Sequence, residues 1–594
     1  MRVNVSAWSI RNPIPSVLLF IMLTLMGLLG FQRMKIQNFP DIDLPTVVVT
    51  ASLPGAAPSQ LETDVARKIE NSVATVQGLK HLYTRVQDGV VTVTAEFRLE
   101  KPTQEAVDEV RSAVSRIRAD LPGDLRDPVI NKVDLSGMPI LTYTVASRRM
   151  DDEALSWFVD NTISKTLLGV KGVGAVARVG GVSREVLVEL DPARLMALNA
   201  TAAEISRQLR RTQQEAPGGR ADVGGAEQSV RTVGTVQSAA ELARMQIPLN
   251  DGRLIRLDQV AHVQDTVAER RSVALLDGKP VVGFEITRSR GAGEVDVDAG
   301  VRQALDKLKR EHPDIAITEA FNFVDPVVEN YEGSMKLMYE GALLAVVVVW
   351  FFLREWRATL VSATALPLSI IPAFAGMYWL GFTINVVTLL SLSLVVGILV
   401  DDAIVEIENI VRHLRMGKTP YQAAMEAADE IGLAVIATTF ALIAVFLPTA
   451  FMSGVPGKFF VQFGWTASLA VFASLVVARM LTPMMAAYLL KPSPIHAEGR
   501  VMGTYMRWVR ACLKHRVATI FGAALFFVAS FALVPLLPTG FLPPDDLSQT
   551  QVYLSLPPGA TFQQTYATAE RAREIVQRNR HVKLVYTAVG GGMA

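Results

Sequence analysis

Asp401 and Asp402 interrupt a stretch, Ile384–Ile410, that is otherwise apolar enough to cross a bilayer; they lie within Gly397-Ile398-Leu399-Val400-Asp401-Asp402-Ala403-Ile404-Val405-Glu406. Asp402 stands ten residues before Arg412. At helical rise that is about 15 Å, near the midplane of a hydrocarbon core about 30 Å thick. An ionised side chain at that depth costs at least a few kcal/mol and is usually retained for proton or ion traffic. Two adjacent carboxylates raise each other's affinity for protons, and burial disfavours the charged form, so one or both are expected to bind a proton reversibly. The alternative is structural, with both permanently protonated or paired with buried donors. Glu408 follows Asp401 by seven residues on the same helical face, and Asn409 stands likewise to Asp402. Both are candidate supporting polar residues. Glu406 and Glu408, nearer the basic end of the span, read as interfacial. Gly397, one turn before Asp401, would let a neighbouring helix approach closely, although generic packing explains it equally well.

Other chemistry is not evident. The seven histidines form no HxxxH or HExxH pattern, so no metal site is expected. The single cysteine, Cys512, can form no intrachain disulfide and reads as a packing residue. No nucleophile constellation or cofactor motif emerges, which leaves a membrane enzyme the weakest reading. A net charge of +1 provides no field for nucleic acid. With half of the 594 residues hydrophobic and 19% charged, the chain is part bilayer and part water.

The elements that must position the aspartates are apolar stretches. Pro13–Phe31 is long enough to cross a membrane and lacks a small-residue cleavage pattern after it, so it reads as a span rather than a signal peptide. Six more follow near Leu337–Leu353, Leu360–Leu380, Ile384–Ile410, Ile431–Met452, Trp465–Leu490 and Val517–Leu537. Basic residues gather at alternate ends: Arg2 and Arg11, then Arg354 and Arg357, then Arg412, Arg415 and Lys418, then a group from Lys491 to Arg516. By the positive-inside rule the N-terminus is cytoplasmic and the segment from about 33 to 336 lies outside. Val501–Leu513, with Tyr505 and Trp508 beside Arg507 and Arg510, reads as an interfacial amphipathic helix.

The outside segment alternates strand and helix patterns. Thr46–Ser52 reads as a strand, Ser59-Gln60-Leu61-Glu62 as a capping box, Val90–Phe97 as a half-buried strand and Thr103–Leu121 as a helix. Pro139–Val145, Asp152–Val170, Val173–Gly180 and Val186–Leu190 can be read the same way, followed by a second capping box, Thr201-Ala202-Ala203-Glu204. Such split βαβ modules suggest ferredoxin-like subdomains. Gly218-Gly219 and Gly224-Gly225 punctuate either a protruding hairpin or a disordered loop. An offset of 504 residues superimposes the first span on the seventh, Phe39-Pro40-Asp41 on Pro543-Pro544-Asp545, and Pro54-Gly55-Ala56 on Pro558-Gly559-Ala560; with one gap, Tyr83-Thr84 meets Tyr586-Thr587. Both copies are expected to run span, Pro-Asp turn, strand, Pro-Gly-Ala turn, helix. Parallel halves would make a protein of roughly 1,000 residues, with this chain stopping within the second repeat.

These motifs, namely Phe39-Pro40-Asp41-Ile42, Leu53-Pro54-Gly55-Ala56, the Gly397–Val405 run, Glu408-Asn409 and Leu481-Thr482-Pro483, resemble the hydrophobe/amphiphile efflux branch of the resistance-nodulation-division (RND) transporters over essentially the whole chain. The heavy-metal branch, which lacks the double aspartate, is a poorer match. The resemblance implies an α-helical membrane bundle with an α+β periplasmic porter domain, divided as follows: first span 1–32, porter and docking region 33–336 with the docking part about 180–270, spans two to six 337–490, cytoplasmic linker 491–516, seventh span 517–537, and the start of a second porter region 538–594. It implies a multi-pass protein of the bacterial inner membrane, homotrimeric when complete. Such a protein exports small hydrophobic or amphiphilic compounds by proton antiport, with a periplasmic adaptor and an outer-membrane channel, no cofactor, and Asp401 and Asp402 as the proton relay. The family's relay also uses a lysine of the second half, which this chain does not reach, so 594 residues alone are expected not to transport. Pocket phenylalanines known in the family are not evident at Met138-Pro139-Ile140 or Val179-Gly180, leaving substrate range open. A secretion-motor protein of the same superfamily, moving polypeptide or lipid, and a non-transporting structural fragment are the competing functions.

Overall fold

The computed structural model describes residues 4–212, 214–492, 499–542 and 544–590. The chain divides into two compact units, one of Met1–Ile140, Thr287–Ala299 and Phe323–Gln551, the other of Leu141–Ile286, Gly300–Asn322 and Val552–Ala594.

In the first unit, among the described residues, seven helices are long and apolar enough to cross a membrane: Pro13–Arg33, Val324–Leu353, Trp356–Trp379, Val386–Arg415, Pro420–Phe451, Gly454–Leu489 and Arg516–Leu536. Most run past their apolar stretches, the second beginning at Val324 rather than near Leu337. Hydropathy marks the part that suits lipid, whereas a helix continues while its backbone bonds are satisfied. A further helix, Arg500–Lys514, has Tyr505 and Trp508 exposed; part of the linker before it lies outside the described residues. The first and third spans meet at Gly27, where a Cβ would stand 2.0 Å from the Ile371 carbonyl oxygen. Small residues at such crossings let backbones approach. Gly397, expected to serve packing, faces open space, with no atom within 4 Å of where its Cβ would be. The fourth span packs on the sixth through Val395, Leu399, Ala467, Ala470 and Val471, all buried.

The same unit holds a four-stranded sheet. Strands β1 (Asp43–Ser52), β2 (Leu79–Gln87), β3 (Val90–Phe97) and β4 (Val129–Asp134) lie in the order β2-β3-β1-β4, every pairing antiparallel. Alternation places Val47, Val49 and Ala51 opposite Ala95, Val93 and Val91 on the buried face. Leu61, Val65 and Ile69 of one helical segment and Ala106, Val110 and Ala113 of another cover that face. Each large apolar side chain so buried contributes about 1.5–3 kcal/mol before entropy is counted. The expected capping box at Ser59 does not form. The helix starts one residue earlier, with Pro58 at its first position and Ala57 as a cap without a side-chain bond, because proline is already fixed in helical φ.

In the second unit, β5 (Pro139–Ser147), β6 (Val173–Val179), β13 (Val273–Leu276), β14 (Lys279–Arg288), β15 (Ile315–Asn322) and β16 (Tyr586–Val589) form one sheet, ordered β15-β5-β14-β13-β16 with β6 also on β14. Val186–Leu190, expected to continue this module, instead belongs to β7 (Arg184–Leu190), which pairs with β12 (Ala261–Val267) in a separate ribbon. The sheet's next strand after β6 is β13, and β6 itself pairs with β14, at a distance in sequence that local pattern cannot reveal. Between β7 and β12 lie β8 (Glu215–Val223) and β9 (Ala226–Val233), an antiparallel hairpin, and the short strands β10 (Gln246–Pro248) and β11 (Leu254–Arg256). The hairpin turns at Gly224-Gly225, both with positive φ of 62° and 81°, as tight hairpin turns require. The second capping box forms by half. Thr201 accepts from the Glu204 N–H at 3.2 Å, while the Glu204 carboxylate accepts from the Asn250 N–H instead.

Of the repeat, Gly55 and Gly559 adopt matching φ of 82° and 89°, and each turn leads into a helix. The copy of β1 expected before Gly559 is not a strand: 549–557 carry no regular structure. β1, by contrast, is held between β3 and β4. Pro543 of the repeat lies outside the described residues.

Candidate functional site

The fourth span is two helices end to end, Val386–Leu399 and Asp401–Arg415, joined at Val400. The Ser474 hydroxyl of the sixth span donates to the Leu399 carbonyl at 2.7 Å, satisfying a backbone group at the break as lipid demands. Asp401 and Asp402 occupy the first turn of the second helix, where backbone dipoles favour negative charge.

Neighbouring helical residues point about 100° apart, and the two aspartates part company. Asp402 is 8% exposed, whereas Asp401 is exposed. Thr439 of the fifth span sets its hydroxyl 2.9 Å from Asp402 Oδ2 and 2.9 Å from the Val435 carbonyl oxygen. With one hydrogen, that hydroxyl can donate to an ionised Asp402, or accept from a protonated Asp402 while donating to Val435. Either protonation state is therefore accommodated without moving a helix.

One turn further on, Glu406 is completely buried, and its Oε1 accepts from Arg479 Nη1 at 2.6 Å. The same Nη1 donates to the Ala428 carbonyl at 2.8 Å. The expectation that Glu406 is interfacial is therefore wrong. Four residues after Asp402, it falls on the same inward face and finds a counter-charge there. The overlooked signal was Arg479, a lone arginine inside an apolar span that must find an anion.

Glu408 lies on the exposed face with Asp401, as seven-residue spacing requires. Asn409, on Asp402's face, is buried; its amide donates to the Ala427 carbonyl at 3.1 Å and to Glu430 Oε2 at 3.3 Å. Glu430 also accepts from Arg412 at 2.9 Å and meets His413 Nε2 at 2.6 Å, while Lys418 Nζ lies 2.9 Å from His413 Nδ1. Lys418 has only donors, so Nδ1 is the acceptor and Nε2–H donates to Glu430. The arrangement thus brings together Asp402, Thr439, Glu406 and Arg479 in the interior and a hydrogen-bonded network around Asn409 at the basic end. Asp401 and Glu408 face outward.

The AcrB/AcrD/AcrF family profile matches residues 5–594. The chain is 30% identical over 607 residues to the multidrug resistance protein MdtC of Pantoea ananatis (strain AJ13355), covering 98% of this chain and 58% of that protein. It is 31% identical over 515 residues to the multidrug resistance protein MdtC of Salmonella schwarzengrund (strain CVM19633), covering 84% of this chain and 50% of that one. The chain thus spans about half the length of the curated relatives it matches. With a profile matched almost from end to end and seven helices fit to cross a membrane, this membrane protein belongs to the AcrB/AcrD/AcrF family of RND transporters.

Proposed function

We propose that this chain is the N-terminal part of a proton-driven exporter of small hydrophobic or amphiphilic compounds, with Asp402 as the group that binds and releases the coupling proton. The observation that carries the reading is the buried Asp402 carboxylate against Thr439, whose hydroxyl reaches two acceptors. Conformational cycling requires two states of different affinity for the proton. A buried carboxylate whose partner can reverse its hydrogen bond can load and unload the proton with little local rearrangement, and the difference in affinity is then set by how the surrounding helices pack in each state. Asp401, exposed on the same span, completes the relay with partners outside this chain, and Glu408 and Asn409 support it.

The remaining features are part of the same proposal. The order strand, helix, strand, strand, helix, strand with the sheet arrangement β2-β3-β1-β4 supports ferredoxin-like porter subdomains, and the hairpin β8-β9 supports a docking part within about 180–270. Basic residues at alternate span ends support a cytoplasmic N-terminus in the bacterial inner membrane. The named relatives are multidrug resistance proteins, which favours export of drug-like molecules over polymers; a homotrimer working with a periplasmic adaptor and an outer-membrane channel follows from the family likeness. Asp402→Asn keeps shape and abolishes titration. In cells expressing the complete reading frame, efflux of a lipophilic dye should stop with Asp402→Asn and with a protonophore. Undiminished export by the variant at equal membrane abundance would sink the proposal.

A further inference from the structure

The Glu406–Arg479 pair has no part in the relay just described, yet it is built into the interior beside Asp402. Glu406 Oε1 is held by Arg479, while Oε2 is buried and has no hydrogen-bond partner among the described residues. Leaving a charged oxygen unsatisfied is costly, and a buried ion pair is no better for stability than apolar side chains of similar volume. Packing alone therefore does not account for the pair. Among the described residues, the charged groups facing Glu406 are Arg479 from the sixth span and Asp402 on its own helix. The fifth span contributes the Ala428 carbonyl to Arg479, and the helix Val5–Arg11 contributes Ser6, whose hydroxyl donates to the Arg479 carbonyl at 2.6 Å. Gly432 leaves the space that the guanidinium fills.

We propose that Glu406 Oε2 is a second proton acceptor, taking the proton that Asp402 releases, with Arg479 as its fixed counter-ion; this rests on Asp402 being the proton-binding group. The O–H bond at Asp402 breaks and one forms at Glu406 Oε2, while Oε1 keeps the Arg479 hydrogen bond. Four residues on one face are about 6 Å along the axis, a span that one bridging water closes. Before transfer the charges are Glu406 carboxylate and Arg479 guanidinium; afterwards they are Asp402 carboxylate and Arg479 guanidinium. The interior is neutral in both states, so the step never leaves an uncompensated charge in a low dielectric. Glu406 lies four residues nearer Arg412 in the chain than Asp402 does, so the transfer carries the proton one turn closer to the basic end of the span.

The test is infrared absorption of protonated carboxyl groups against pH, on the purified full chain in lipid nanodiscs. Wild type, Asp402→Asn, Glu406→Gln and the double variant Glu406→Leu/Arg479→Leu are compared. Wild type should show two coupled steps. Glu406→Gln should remove one and move the Asp402 step at least tenfold in proton affinity toward acid, because Arg479 then serves the Asp402 carboxylate alone. The double variant, which leaves no unpaired charge and retains the fold, should show a single step. If the Asp402 step sits at the same pH in the double variant as in wild type, the pair is a structural tie and the proposal is overturned. If Glu406→Gln does not fold, the double variant decides by itself. A titration unchanged by Asp402→Asn would overturn the Asp402 assignment and this inference with it, whereas loss of only the coupling overturns this inference alone.

Discussion

Arg479 fills the space that a side chain on Gly432 would need: a Cβ there would lie 2.6 Å from Nη2 and 3.1 Å from Cζ of the guanidinium. Gly432→Ala should therefore displace Arg479 from Glu406 and lower stability by about 1–3 kcal/mol, the usual cost of overfilling a packed site. Gly397→Ala is the control, since open space surrounds that position, and should stay within about 0.5 kcal/mol of wild type. Thermal unfolding of both variants in detergent separates them; a Gly432→Ala variant as stable as Gly397→Ala would show that the guanidinium does not set the cost.

Thr439 should be replaceable by serine and not by valine. The valine variant removes the hydroxyl that faces both Asp402 and the Val435 carbonyl, leaving a buried carboxyl group without its partner at a cost of about 1–3 kcal/mol. Serine keeps the hydroxyl. Dye efflux from cells expressing the complete reading frame should fall severalfold with Thr439→Val and remain near wild type with Thr439→Ser. Equal activity would remove Thr439 from the relay.

Outside the membrane, Asp43 and Glu294 should respond to pH in opposite senses. Burial pushes the Asp43 carboxyl up, but the Arg290 guanidinium, at 2.7 and 2.8 Å, and Lys132 outweigh it and hold the group below its ordinary 3.8. Its contribution is present above that value and is lost as pH falls through the lower folded value. Glu294 is raised above 4.5, by burial first, against the opposing charge of Arg288. Its folded form binds the proton more tightly, so stability falls as pH rises from the unfolded value through the raised one. Asp43→Asn should cost about 0.2–1 kcal/mol at neutral pH, as for a partly exposed pair, and the difference should vanish in strong acid. Glu294→Gln should flatten the loss on the other side. Chemical denaturation at a series of pH values checks both; parallel curves for variants and wild type would contradict the assignment.

The first and third spans should tolerate no side chain at Gly27. A Cβ there would stand 2.0 Å from the Ile371 carbonyl oxygen, so Gly27→Ala must part the helices and should cost about 1–3 kcal/mol or more. Leu28→Ala, at an exposed position, should change stability by no more than about 0.5 kcal/mol. Unfolding in detergent compares the two.

Periodicity, apolar length and turn chemistry are local, and what depended on them could be read from the sequence alone. The seven membrane-crossing stretches and the alternation of β1 and β3 follow from residues close together in the chain, and so does the family likeness, carried by contiguous motifs such as Gly397–Val405. The glycine pairs at Gly218-Gly219 and Gly224-Gly225, by contrast, leave hairpin and loop both open, and the pairing of β8 with β9 decides for the hairpin. Tertiary structure decided whatever needed a partner from far away. Which aspartate of the pair is buried depends on where the fifth span lies. Glu406 looked interfacial because its counter-ion, Arg479, is 73 residues distant. β7 pairs with β12, more than 70 residues on in the chain, rather than with the sheet expected for it, and 549–557 repeats the sequence logic of β1 without being a strand. A residue's type and spacing state what it needs; only the folded chain determines which distant group meets that need.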